Sequence, residues 1–137
     1  MSDRIISFWK DRNQRLINPD LFSEVAESLA RKIREEGRRD KDKNKITQVR
    51  KFYDEILQWY ELVRHSRKEY DKYLPYIKIL RAKVYYAKGR KLVTETFVKL
   101  IEQCLDEIHT FEDFEVFKSF FEAFMGFYRY YDEVKTT

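Results

Sequence analysis

The sequence predicts an all-α protein, a compact bundle of about five helices forming a single domain. Three observations carry that reading. Only three Gly and two Pro, standing apart, interrupt a chain rich in Leu, Lys, Glu and Arg, a balance that favours helices over sheet. Apolar residues recur at spacings of three and four along most of the length. The 137 residues, 43% apolar and 38% charged, suffice for one buried core but not for two.

In chain order, Ile5, Trp9 and Leu16 lie in an otherwise polar segment, so residues 1–18 read as a short amphipathic helix or a peripheral arm. Asn18 and Pro19 make a helix start: the Asn can cap, Pro suits the first helical position, and Asp20 falls in the positive first turn. Phe22, Val25, Leu29 and Ile33 then share a face, and Gly37 supplies a stop. The run RRDKDKNKI, residues 38–46, has no periodicity and almost no apolar content, and reads as a mobile charged loop or a flexible helix extension.

Thr47 is placed to cap the next helix. Its Val49, Phe52, Tyr53, Ile56, Leu57, Tyr60 and Val63 form the most regular apolar stripe of the N-terminal half, about four turns long. Tyr70, Tyr73 and Leu74 continue the pattern to Pro75, which biases Leu74 away from helical angles and marks a bend. Ile77, Leu80, Val84 and Ala87 share one face of a helix of about three turns, closed by Gly89 in the left-handed conformation. Val93, Phe97, Leu100, Ile101, Cys104, Leu105 and Ile108 form a further helix. Thr110 followed three residues later by Asp113 is a capping-box start for the last one, whose Phe114, Phe117, Phe121, Phe124, Tyr128 and Tyr131 are spaced to pack inward.

Much chemistry is excluded. Cys104 is alone, so no disulfide within the chain and no cysteine-based metal cluster can form, and a reducing cytoplasm is the expected location. No stretch approaches the ~20 apolar residues of a membrane span, and MSDRIISFWKDR lacks the apolar core of a secretory signal. His65 and His109 are the only histidines, and neither lies in a His-Glu-x-x-His, Glu-x-x-His or Arg-x4-His arrangement. The three glycines, at 37, 89 and 126, build no phosphate loop. The chain is therefore expected to be no enzyme and to need no metal or cofactor.

What remains is binding, and the charge is sorted for it. The net charge of +4 hides +5 between Arg38 and Lys51, +6 between Tyr76 and Lys91, where no acid occurs, and −7 between Ile101 and Val134. Within KILRAKVYYAKGR, residues 78–90, Lys78, Arg81, Tyr85 and Lys88 fall on one arc beside the apolar side at ~100° per residue, with Lys83 at the other edge. Cations and a tyrosine on a helix can hold phosphates by charge and stack on bases, the means of sequence-blind single-strand binding. Arg50 and Lys51, with the first-turn amides of their helix, would add to that surface if the two helices pack side by side, and Lys43 and Lys45 can contribute from the preceding loop. The opposing reading is a solvated face, or an adaptor whose basic helix pairs with an acidic protein.

Eleven Phe, ten Tyr and two Trp also exceed what a small core needs. Phe111, Phe120, Phe127 and Tyr130 cannot all point the same way as Phe117 and Phe124. Either they form a protein interface in an acidic frame, or the last helix is wrapped on several sides by a broad core.

Three stretches, KITQVRKFYDEIL (45–57), ILRAKVYYAKGR (79–90) and FKSFFEAFMGFYRYY (117–131), resemble the small subunit of the type III-A CRISPR effector, the Csm complex. The likeness spans roughly residues 45–131. It implies a helical, non-catalytic subunit that stacks in several copies along the backbone subunits and faces crRNA and single-stranded target RNA. Gln48, Arg50, Lys51, Lys83, Tyr86 and Arg90 carry over as the nucleic-acid side; Lys45, Lys78, Arg81 and Lys88 join them from their charge and placement. The resemblance gives no role to the first forty or so residues. Pro75 and the charged loop leave room for exchange of helices between chains, so a dimer or higher self-association is expected outside the complex.

Overall fold

The computed structural model describes residues 4–134. Its first element departs from the expected arm or amphipathic helix, and residues 1–3 of that segment lie outside the described residues. Ile6 and Phe8 point inward with exposed Ser7 between them, the alternation of an extended chain, which then forms a small hairpin of β1 (Trp9–Asp11) and β2 (Leu16–Ile17). Trp9 pairs with Ile17, and Arg15 takes a left-handed φ of 55° at the turn. The segment is no loose appendage. Phe8 is fully buried and its ring lies 6.4 Å from that of Phe117, nearly parallel to it.

Asn18 organises the helix start differently from a simple cap. Its side-chain oxygen accepts from the Asp20 amide at 3.1 Å and its carbonyl from the Leu21 amide at 3.0 Å. The chain then makes one wide π-type turn, Leu21–Val25, before α1 (Ala26–Arg39). That turn shifts the buried face: Leu21 is enclosed while Phe22 is left outside, and Ala26, Leu29, Ala30 and Ile33 complete the inward stripe. Gly37 does not stop the helix; it lies buried inside it and has no positive φ.

The charged run 38–46 is helix as far as Arg39 and then a tight turn held from several sides. Lys41, Asp42 and Asn44 adopt φ of 55°, 56° and 59°. Asn44 is fully buried, its amide nitrogen donating to the Ile33 carbonyl (2.9 Å) and Thr94 Oγ1 (2.8 Å), its oxygen accepting from the Thr94 amide (2.9 Å). The Tyr128 hydroxyl donates to the Asn44 carbonyl at 2.6 Å. Buried Arg34 donates to the Lys43 carbonyl, Asp42 and Asp132, closing the turn onto the end of the last helix. Burial opposes the charge on Arg34, yet its two carboxylate partners outweigh that and raise its affinity for the proton.

α2 (Ile46–Arg64) begins one residue before Thr47, which caps nothing; Lys45 stands at the boundary without a side-chain cap. Val49, Phe52, Ile56 and Val63 are its buried stripe. A short 3₁₀ turn (Arg67–Glu69) leads to α3 (Tyr70–Ile77), which runs through exposed Pro75. The bend comes later, at Lys78 and Ile79, before α4 (Leu80–Gly89). Ile77, Leu80, Val84 and Ala87 face the core as expected, but the left-handed residue after α4 is Lys91 at φ 62° rather than Gly89. α5 (Glu95–Asp106) buries Phe97, Leu100, Ile101, Cys104 and Leu105.

α6 (Phe111–Glu133) starts in the expected capping box: Asp113 N donates to Thr110 Oγ1 at 3.2 Å, and Asp113 Oδ2 accepts from Thr110 N at 2.9 Å. It is the axis of the bundle, packing on α1, α2 and the π turn, while α4 packs on α5. Phe114, Phe117, Phe120, Phe121, Phe124 and Tyr128 are fully enclosed and Phe111 nearly so, which places most of the surplus aromatics in a broad core. Phe127 is half-buried and Tyr130 exposed. With α3 and α4 read as one bent helix, the all-α bundle has the expected five long elements around one continuous core. No helix among the described residues is long and apolar enough to cross a membrane.

Candidate nucleic-acid interface

α2 and the bent pair α3–α4 each present a stripe at helical spacing. On α2 it reads Gln48, Lys51, Glu55, Trp59, Leu62; on the other, Tyr76, Ile79, Lys83, Tyr86, Arg90. Phe52 and Ala87 lie at the floor between them, and with Leu92 they help line a groove of about 470 Å³ whose walls include Gln48, Lys51, Glu55, Lys83, Tyr86 and Arg90. Five of the six positions that carry over from the resemblance thus meet in one groove. The sixth, Arg50, is exposed but sits about 100° round α2 from Lys51, outside the lining. Lys45, at the start of α2, is also exposed and outside it.

The groove carries three cations against one carboxylate. Lys83 Nζ meets Glu55 Oε1 at 2.5 Å, whereas Lys51 and Arg90 form no ion pair among the described residues. The Arg90 guanidinium lies 5.9 Å from the Tyr86 ring, which is 69% exposed and free to receive a ligand.

The remaining cations of the basic run face elsewhere. Arg81 pairs with Glu102 of α5 at 2.9 Å, and Lys88 pairs with Glu95. Glu102 also accepts a hydrogen bond from Tyr85, which raises that phenol's pKa, and its bond to Arg81 raises the guanidinium's. Lys78 is half-buried with its ammonium 2.5 Å from the Leu105 carbonyl, and burial lowers its pKa. The arc of Lys78, Arg81, Tyr85 and Lys88 is therefore turned to α5 and matched by acceptors, on the other flank of α4 from the groove. Glu95 and Glu102, 7 and 21 residues from Lys88 and Arg81 in sequence, could not be placed beside these cations from the basic run alone.

Sequence reasoning also passed over Trp59 and Tyr76. Their rings stack 6.0 Å apart at 19°, and Trp59 lies 6.1 Å from Tyr73. Both stripes pass through them, and that continuation was readable as i, i+3, i+4 spacing from Gln48 and from Arg90.

A family model described as Csm2 Type III-A matches residues 18–134, a longer span than the 45–131 of the resemblance. No curated protein and no solved structure matched the chain.

Proposed function

The chain belongs to the Csm2 type III-A family and is a subunit of the type III-A CRISPR Csm complex, and from that premise we propose that it binds crRNA or its target RNA through the α2–α4 groove, without catalysis and without reading sequence. The observation that carries this reading is the convergence of Gln48, Lys51, Lys83, Tyr86 and Arg90 on one groove from two separate helices. Lys51, Lys83 and Arg90 would neutralise phosphates, Gln48 would donate to a phosphate or ribose oxygen, and exposed Tyr86 would stack on a base. Contacts to phosphate, ribose and a ring face carry no base identity, so every sequence would meet the same contacts.

A non-catalytic role fits the placement of the two histidines. His65 ends α2 and His109 precedes α6, and neither lines the groove. The cytoplasm, where RNA-guided defence operates, is the location this reading takes. Arg50 and Lys45 would reach RNA only outside the groove, and Arg81, Lys88 and Lys78 are assigned a lesser share because their charges are already matched. Other surfaces, including the hollow formed by Phe22, Ala123, Phe127 and Tyr130, are left for the backbone subunit or for copies of the same chain. Self-association is read from molecular mass in solution at high micromolar concentration.

The test is charge reversal at Lys51, Lys83 and Arg90, with binding followed on several unrelated single-stranded RNAs. Affinity falls to a similar degree on each, and three phosphate contacts give the wild-type chain a slope near −2 in log affinity against log salt. Unchanged binding in the triple variant rejects the groove. Displacement by an acidic protein but not by RNA would favour the adaptor reading.

A further inference from the structure

Beyond the Glu55–Lys83 pair the two stripes change character. One turn further along α2 stands Trp59, and across from it, on α3, stands Tyr76. Tyr76 rests one ring face on the Trp59 indole and is 55% exposed, so its outer side is bare. Leu62 and Ile79, the flanking members of the two stripes, are 46% and 45% exposed. Three large apolar groups so open to water at one end of a cationic groove, with half-buried Trp59 beneath them, form a patch with a ligand to find. The ion pair itself contributes no net charge there, so the surface runs from phosphate-binding to ring-binding chemistry in a single direction. A polynucleotide is the ligand class that offers both chemistries in alternation along one chain.

We infer that Tyr76, backed by Trp59, is a base-stacking platform for an unpaired nucleotide of an RNA whose phosphates lie in the α2–α4 groove. The inference rests on the RNA-binding reading above and adds a second subsite to it. Stacking is indifferent to base identity, so the platform strengthens binding without adding sequence preference.

The experiment uses the full chain carrying Trp9→Phe, which leaves Trp59 as the sole indole, and two oligomers of equal length: a single-stranded RNA and its abasic sugar-phosphate counterpart. The expected result is that both bind with the same salt slope, but only the base-bearing RNA binds more tightly and quenches Trp59 fluorescence. Tyr76→Ala then weakens binding of the base-bearing RNA about fivefold or more, leaves the abasic oligomer and the salt slope unchanged, and is rescued by Tyr76→Phe. If both oligomers bind alike and Trp59 is silent, the platform is overturned while the groove stands. A patch that responds to another protein and not to the RNA overturns it equally. Failure of both oligomers to bind at low salt overturns groove and platform together.

Discussion

Gly37→Ala should unfold this protein at a markedly lower temperature, although alanine is the better helix former by up to ~1 kcal/mol. A Cβ built on Gly37 would sit 2.0 Å from the Lys43 carbonyl oxygen, 2.7 Å from its carbon and 2.9 Å from Asn44 Cβ. Ordinary contact begins at 3.4 Å, so the carbonyl must retreat about 1.4 Å. The obstacle is backbone, and the backbone is held: the Lys43 amide donates to the Gly37 carbonyl at 2.9 Å and the Asn44 amide to the Leu92 carbonyl at 3.0 Å. A shift of that size breaks the three side-chain bonds of buried Asn44, each worth roughly 1–1.5 kcal/mol when its partners are left unpaired. Set against the gain in helix propensity, the net loss is about 3 kcal/mol, or roughly 10 °C in melting temperature for a chain of this size.

Gly126→Ala is the internal control. Gly126 lies in α6 with nothing within 4 Å of an added Cβ and no positive φ, so this substitution raises the melting temperature by about 3 °C. Thermal denaturation followed by far-ultraviolet circular dichroism reads both. A Gly37→Ala variant that melts at or above the wild type would refute the claim that Lys43 occupies the space of the missing side chain.

Burial opposes ionisation of Asp113, but amide bonds from Thr110 and His109 with side-chain bonds from Trp9 and Arg12 outweigh it and hold the carboxyl below the usual range. Asp113→Asn therefore costs about 2 kcal/mol at neutral pH. Because the folded value is depressed, this stabilisation is full above about pH 4 and is lost as pH falls through the folded value, so urea titrations of the two proteins converge in acid. The buried Tyr70 hydroxyl has no hydrogen-bond partner among the described residues, so Tyr70→Phe leaves urea stability unchanged or raises it by up to ~1 kcal/mol; a loss above that size contradicts the orphan assignment. Glu55→Gln removes the carboxylate that competes with phosphate for Lys83, so RNA affinity rises; weaker binding would show that Glu55 orients Lys83 rather than neutralising it.

The helices from residue 46 onward were legible because each has an amphipathic stripe long enough to outweigh local exceptions. The capping box at Thr110 was legible for a different reason: it is satisfied within four residues of sequence. What escaped was decided by partners distant in the chain. Ile6 and Phe8 span too few residues for a period of two to stand out, and Phe8 is buried against Phe117, more than a hundred residues away. The π turn that expels Phe22 and the burial of Asn44 both answer to α6, not to their neighbours in sequence. The groove followed the same rule. Lys51, Lys83, Tyr86 and Arg90 were recognisable by type, whereas the carboxylates that claim Arg81, Lys88 and Lys83 became visible only once α5 and α2 were set beside α4.

Anyone seeking a place to splice a tag, a reporter or new termini into this chain would choose its lysine-rich stretch around residue 43, polar and free of pattern. That choice would tear out the peg that fastens the ends of α1 and α6 to the beginning of α5. Solvent-facing His65, Lys68 and Glu69 offer the more tolerant seam, where an inserted sequence puts at risk the surface contacts of Arg67 with Phe111 and Glu115 but none of the bonds of that peg.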